Sequence, residues 1–190
     1  TARKQQGLPD QGPIIGIVAT LRSWKGHRFL LEAFARLTNP SAHLVIVGHG
    51  PQHEALQQQI MQLGIQQRVT MPGNQDNVVP WLQAMDIFAL PSYANEGVPQ
   101  AMLQAMLVGL PIVTTPVGSI AEAIEHEFNG ILVEPEQVQP LQMALERLLQ
   151  SPADARRLGT AAREKAERHY STEVMLDKME KVFYLVSTRG

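Results

Sequence analysis

The sequence predicts an α/β domain, doubly wound on a six-stranded parallel sheet, with extra helices toward the C-terminal end. Three observations lead there. Six short apolar runs rich in β-branched residues recur between positions 14 and 135. Each is followed by a stretch with apolar residues at helical spacing. The strand-like runs are continuously apolar rather than alternating, as strands covered by helices on both faces must be. Strand and helix in strict alternation then imply parallel strands joined by right-handed crossovers.

The elements follow in order. IIGIVATL (14–21) is the first strand run and KGHRFLLEAFARL its helix. HLVIVG (43–48) leads into HEALQQQIMQLG, RVTMPG (68–73) into NVVPWLQAM, and DIFALP (86–91) into the helix of NEGVPQAMLQAMLVG. PIVTTP (111–116) precedes SIAEAIEHE, and GILVEP (130–135) precedes VQPLQMALERLL. Residues 14–150 thus form one α/β domain. In residues 151–190, SPADARRLGTAAREKAERHY and STEVMLDKMEKVFYLV read as two more helices, each opened by a Ser at its N-cap. Ahead of the first strand, TARKQQGLPDQGP (1–13) is polar and carries Gly and Pro, and reads as a linker entering the domain.

Composition narrows the function. The 190 residues are 44% hydrophobic, enough for a core that folds by itself. No window approaches 18 unbroken apolar residues and no basic stretch precedes an apolar one, so neither a spanning helix nor a signal peptide is expected. A cytoplasmic location is the default. There is no Cys, which excludes disulfides, thiolate metal sites and Cys nucleophiles. A net charge of −2 gives no general attraction for nucleic acid, so any anion must be held locally.

In a doubly wound sheet the strand-to-helix turns are where ligands bind. The first turn, ATLRSWKG, carries Arg22 and Lys25 beside a helix start, a place that suits a diphosphate; two solvated cations are the alternative. Trp24 between them reads as a packing residue. The second, VGHGP, offers two glycines for close backbone approach but matches no dinucleotide or P-loop fingerprint. His49 and His53 are four apart, yet Pro51 intervenes and no acid is near, so no metal site is expected. In the fourth turn, Glu96 precedes Gly97 and Val98, whose amides are placed to meet an anion at a helix start, and Pro99, which suits the first turn of that helix. Glu96 itself has a dipole or capping role as its alternative. On one continuous helix Gln104 would stand about 12 Å and about 80° from Glu96, suiting two groups that read opposite ends of an elongated ligand. An exposed helix Gln is the alternative, since Gln100 shares that face. In the fifth turn, Gly118 precedes Ser119 and Glu122, which would also make a capping box.

Taken together and in this order, ATLRSWKG, VIVGHGP, DIFALPS, EGVPQAMLQAMLVGLPIV, TPVGSIAEAI and FNGILV resemble the donor-binding, C-terminal half of family 4 retaining glycosyltransferases. The resemblance covers residues 14–149 and implies the Rossmann-like domain of the GT-B architecture. It implies that Arg22 and Lys25 neutralise the diphosphate of a UDP- or GDP-linked sugar, and that Glu96 binds the sugar hydroxyls with the Gly97 and Val98 amides beside it. It further implies that Gly50 admits the nucleotide, that Asn74 lies near the base, that Pro99 and Gly118 belong to the donor site, and that Glu122 takes a commonly acidic place. No metal or other cofactor is implied. The acceptor, a glycan or lipid-linked molecule, would be met through an N-terminal domain that this chain lacks, with the last helix packing back toward it. A lipid-linked acceptor implies peripheral contact of the whole enzyme with the inner face of the cell membrane, where Arg156, Arg157, Arg163, Lys165 and Arg168 would assist unless they are a solvated helix face.

Two positions depart from the pattern. Gln104 stands where the family has a Glu for the ribose, and an amide still both accepts from and donates to hydroxyls. Thr20 stands where an Arg is usual, leaving open which cation meets which phosphate. The expected activity is hexosyl transfer in surface polysaccharide or lipopolysaccharide assembly, with the fragment alone hardly active. Two alternatives are a nucleotide-sugar epimerase-like domain, which the EGVPQ and KG elements oppose, and a non-catalytic α/β binding module.

Overall fold

The computed structural model describes residues 1–94 and 96–170. The proposed helix STEVMLDKMEKVFYLV lies outside the described residues. Six parallel strands form one sheet: β1 (Ile14–Val18), β2 (His43–Val47), β3 (Val69–Gly73), β4 (Ile87–Leu90), β5 (Ile112–Thr114) and β6 (Ile131–Leu132), in the order β3-β2-β1-β4-β5-β6. β1 and β2 run in register from Ile14 opposite His43 to Val18 opposite Val47. The six apolar runs are therefore the six strands, each trimmed where it loses a neighbour to pair with.

Every residue of β1, β2, β4 and β5 is buried, which is why these runs carry no alternation. β3 is an edge strand and half-buried throughout, in keeping with its more polar sequence. The helices are α1 (Ala2–Gln5), α2 (His27–Ala35), α3 (His53–Gln62), α4 (Val79–Ala84), α5 (Gln100–Val108), α6 (Ile120–Ala123), α7 (Val138–Gln150) and α8 (Pro152–Tyr170). α2 touches α3 and α7, whereas α5 touches α4 and α8. Leu158, Gly159, Ala162 and Ala166 of α8 are buried, so this helix extends the single core. Its N-terminus is capped as expected: the Asp154 amide donates to Ser151 Oγ at 3.4 Å.

Two local features were not visible in the sequence. Within residues 1–13, α1 docks on α4 and Arg3 is tied down three ways. Its guanidinium donates to the carbonyls of Ala84 at 3.2 Å and Gly12 at 2.8 Å and to Asp86 Oδ2 at 2.6 Å, and the same carboxylate oxygen accepts from the Ile14 amide. The Ser119–Glu122 capping box does not form, since Ser119 makes no side-chain cap bond. The helix after it stops at Ala123 rather than running to Glu127. The buried Asn129 side chain takes the Glu125 amide and the Ala123 carbonyl, and Glu127 turns to φ 65°.

Candidate ligand-binding site

The strand order reverses between β1 and β4, and the crevice beyond the carboxyl ends at such a point is where open α/β sheets bind ligands. Two turns meet there, residues 19–26 after β1 and 91–99 after β4. They are clipped together by the Tyr93 amide, which donates to the Trp24 carbonyl at 2.8 Å.

Lys25 comes from the first turn and Glu96 from the second. Lys25 Nζ stands 2.7 Å from Glu96 Oε1 and 2.8 Å from Oε2, and Ser92 Oγ donates to Oε1 at 2.8 Å. The two side chains are only 15% and 9% exposed. Glu96 is thus neither a helix cap nor a dipole partner alone, but one half of a sheltered ion pair. Its backbone is held from the far side: the Ser119 amide donates to the Glu96 carbonyl at 2.8 Å. Gly118 sits at φ 56°, and a Cβ there would stand 2.0 Å from that carbonyl oxygen. Gly118 thus fixes the backbone of the acid.

At the same end of the sheet a hollow of about 370 Å³ opens between the carboxyl ends of β1 and β2, the turn after β3 and the start of α5. Thr20, Gly48, His49, Asn74, Gln100 and Gln104 are among its walls, with Val18, Val47 and Val78 providing apolar surface. Among the described residues no Lys or Arg lines it, and Asp76 is its one acid. Neutral donors and acceptors over an apolar floor suit a nucleoside better than a phosphate chain. At its edge α5 begins. Among the described residues, the amides of Gly97, Val98, Gln100 and Ala101 donate to no backbone carbonyl, so the N-terminus of α5 keeps its donors for an incoming group. Larger hollows of about 480 Å³ at the amino ends of β1, β4 and β5, and about 590 Å³ beside α3 and β3, hold none of the expected site residues.

The sequence-level candidates divide. Lys25 and Glu96 meet in the ion pair, with Gly97, Val98 and Pro99 beside it, and Asn74 and Gln104 share the hollow. Pro99 is the N-cap of α5 rather than part of its first turn, so Glu96 lies off the helix and its helical geometry relative to Gln104 does not apply. Gly50 does not line the hollow: a Cβ there would meet the Leu21 backbone at 2.7 Å, and the Leu21 amide donates to the His49 carbonyl at 3.0 Å. It seats the second turn on the first. Glu122 is exposed on α6 and faces the Tyr170 hydroxyl, whose pKa is pushed up by burial and by that carboxylate. Arg22 is apart too, its guanidinium over the exposed Trp24 ring, 5.5 Å from the centroid. Trp24 is therefore not a core packing residue.

His49, Ser92 and Gln100 belong to the site without having been singled out for it, whereas Thr20 and Gly48, named above as a departure from the pattern and as a turn glycine, line the hollow. Ser92 carried a signal, lying one helical turn's length before Glu96 in the DIFALPS run; the others became visible only when the turns were brought together. His27, the first residue of α2, is buried below the Lys25 turn with neither ring nitrogen hydrogen-bonded. Burial, reinforced by the Lys25 charge and weakly opposed by the nearby Arg22 backbone, lowers its pKa to about 4. It is neutral at physiological pH. His49 and His53 have ring centroids 6.2 Å apart, and no group of three metal-ligating side chains exists among the described residues.

The family model described as glycosyl transferases group 1 matches residues 1–165, and the chain belongs to that family. Among curated relatives, the N-acetyl-alpha-D-glucosaminyl L-malate synthase of Bacillus anthracis is 30% identical over 183 residues, spanning 96% of this chain and 48% of its own length. The lipopolysaccharide core biosynthesis glycosyltransferase LpsE of Rhizobium meliloti is 26% identical over 92% of this chain and 51% of its own. Among solved structures, HepE of Anabaena in complex with UDP-glucose superposes with a TM-score of 0.87 at 28% identity, over 97% of this chain and 51% of that one. The chain thus spans about half the length of each of these three relatives. The chain shares its GT-B-like α/β fold with solved glycosyltransferase structures, and no described helix is long and apolar enough to cross a membrane.

Proposed function

We propose that this chain is the nucleotide-sugar-binding half of a family 4 retaining glycosyltransferase. The reaction would pass a hexosyl group from a nucleoside diphosphate sugar to a glycan or lipid-linked acceptor in surface polysaccharide or lipopolysaccharide assembly. The observation that carries this is the sheltered Lys25–Glu96 pair, with a hollow that no described Lys or Arg lines reaching the uncommitted amides at the N-terminus of α5. The nucleoside fills the hollow, its ribose against Gln104 and its base near Asn74. The diphosphate crosses the α5 N-terminus to Lys25, and the sugar hydroxyls meet Glu96.

The chemistry follows from charge. As the anomeric C–O bond breaks, negative charge builds on the departing nucleoside diphosphate. Donors fixed before the reaction stabilise that charge without reorganising. Lys25 and the Gly97 and Val98 amides are such donors, and they supply the counter-charge with no metal required. The acceptor and its binding surface would belong to the other half of the longer relatives, so this half binds the donor and hardly transfers it. Relatives that act in lipopolysaccharide core biosynthesis and one solved with UDP-glucose support this reading.

Calorimetric titration of the chain with UDP, GDP and ADP and their sugar conjugates tests it. One nucleotide is expected to bind saturably, to be lost in Lys25→Ala, and to be kept or tightened in Gln104→Glu. Absence of binding to all three at millimolar concentration overturns the donor-site assignment for this chain.

A further inference from the structure

We propose a second anion site on this chain, separate from the nucleotide hollow, that takes a tetrahedral phosphate group. It is the small cavity of about 140 Å³ between the turn after β1 and the start of α3. At about 30 Å³ per water, that volume accommodates a phosphate with some of its hydration. Arg22, Ser23, Arg28, Gln52 and Tyr93 line it, with His27 at its base. Among the described residues no carboxylate lines it, and no lining residue is shared with the nucleotide hollow.

The two guanidiniums are weakly committed elsewhere. Arg22 stacks on Trp24 and makes no ion pair among the described residues. Arg28 lies over the Phe29 ring at 4.3 Å and reaches Glu136 only at 3.5 Å, in the open. Planar forks that meet no firm carboxylate are suited to bidentate capture of phosphate. His27 is the independent indication: a ring 2% exposed, at the wall of this cavity, whose two nitrogens have no hydrogen-bond partner. A buried polar group left unpaired is costly unless something else satisfies it. Phosphate in the cavity would bring acceptor oxygens to both guanidiniums and to the ring, with Gln52 and Ser23 as neutral donors. This also accounts for the Arg that stands two residues beyond the position where the family resemblance expects one. That the site is distinct from the donor's own diphosphate rests on the reading given under the proposed function.

Inorganic phosphate is the probe, titrated into the chain alone and again with the nucleoside diphosphate at saturation. The His27 ring protons, followed by NMR, report occupancy. Saturable binding in both titrations is expected, at least tenfold weaker in Arg22→Ala and in Arg28→Ala and unchanged in Gln104→Ala. Both arginines are exposed, so these variants keep the fold. Glycerol 1-phosphate binding more tightly than inorganic phosphate would assign the site to a phosphate ester of the acceptor, and equal binding would assign it to free phosphate. Displacement of phosphate by the nucleotide, no shift of the His27 ring, or indifference to Arg28→Ala overturns the proposal. The titration without nucleotide reads the cavity even if no nucleotide binds.

Discussion

Lys25 and Glu96 are 71 residues apart in the chain, yet Lys25 Nζ contacts both oxygens of the Glu96 carboxylate at 2.7 and 2.8 Å. The pair spans the switch point of the sheet, one residue from the turn after β1 and the other from the turn after β4. Without ligand each charge answers the other. In the proposed complex Lys25 turns to the diphosphate and Glu96 to sugar hydroxyls, so the ion pair keeps both groups placed and desolvated until the donor arrives.

The first prediction concerns the pair itself. Removing one member leaves a sheltered charge without its partner, which costs about 3 kcal/mol where burial is nearly complete. Lys25→Met and Glu96→Gln singly should each lower stability toward that figure in chemical denaturation. The double variant should recover much of the loss, and strict additivity would show that the two groups do not interact.

Gly118 should matter without touching a ligand. Alanine there would strain a φ of 56° and drive a Cβ into the Glu96 carbonyl. Gly118→Ala is expected to destabilise by about 2 kcal/mol and to weaken nucleotide-sugar binding tenfold or more. Gly64→Ala is the control, since its added Cβ meets nothing within 4 Å and only the φ of 67° is strained. Equal effects on sugar binding would refute the positioning role.

His27 predicts a pH dependence. Its folded pKa of about 4 lies below the ordinary value of 6.5, so between these pH values the unfolded chain binds the extra proton. Stability is full above about 6.5, falls with pH by up to about 3 kcal/mol, and levels off below about 4. Glu127 and Asp154 add a second loss at lower pH. The Arg147 hydrogen bond lowers the Glu127 pKa, and for Asp154 the upward push of burial is outweighed by Arg157 and Arg147. Stability from these two carboxylates is present above their unfolded pKa values and is lost as pH falls through the folded ones. Urea midpoints measured from pH 8 to 4 in the wild type and in His27→Gln check this: the slope between 6.5 and 4 should flatten in the variant.

Arg3 should anchor the lead-in. Arg3→Ala removes three hydrogen bonds and leaves Asp86 with the Ile14 amide alone, at a cost of about 1–2 kcal/mol. Denaturation of this variant beside Lys4→Ala, which alters a side chain with no partner in this cluster, measures the difference.

The fold was legible because strand burial leaves a one-dimensional mark: six continuous apolar runs became six parallel strands. Their ends were not, since pairing needs neighbours that sequence does not display, and Asn129 ended α6 by a contact six residues back along the chain. Within the site, Glu96 and Gln104 could be named but not placed, because a helix continued back through Pro99 gives the wrong geometry. The Lys25–Glu96 contact is a property of strand order rather than of spacing. The same holds for Gly118 and Gly50, which support the turns from positions that look, in sequence, like ligand-facing glycines. The cluster Arg156, Arg157, Arg163, Lys165 and Arg168 resolves as a helix face in part paired locally, Arg157 with Asp154 and Arg163 with Glu167.

The most direct measurement is the affinity of Glu96→Gln for the nucleoside diphosphate and for its sugar conjugate, each compared with the wild type. If Glu96 competes for Lys25 and then binds the sugar, the variant holds the bare diphosphate more tightly and loses the added affinity that the sugar confers. Unchanged diphosphate affinity together with an intact sugar contribution would contradict the account, leaving the ion pair a structural contact alone.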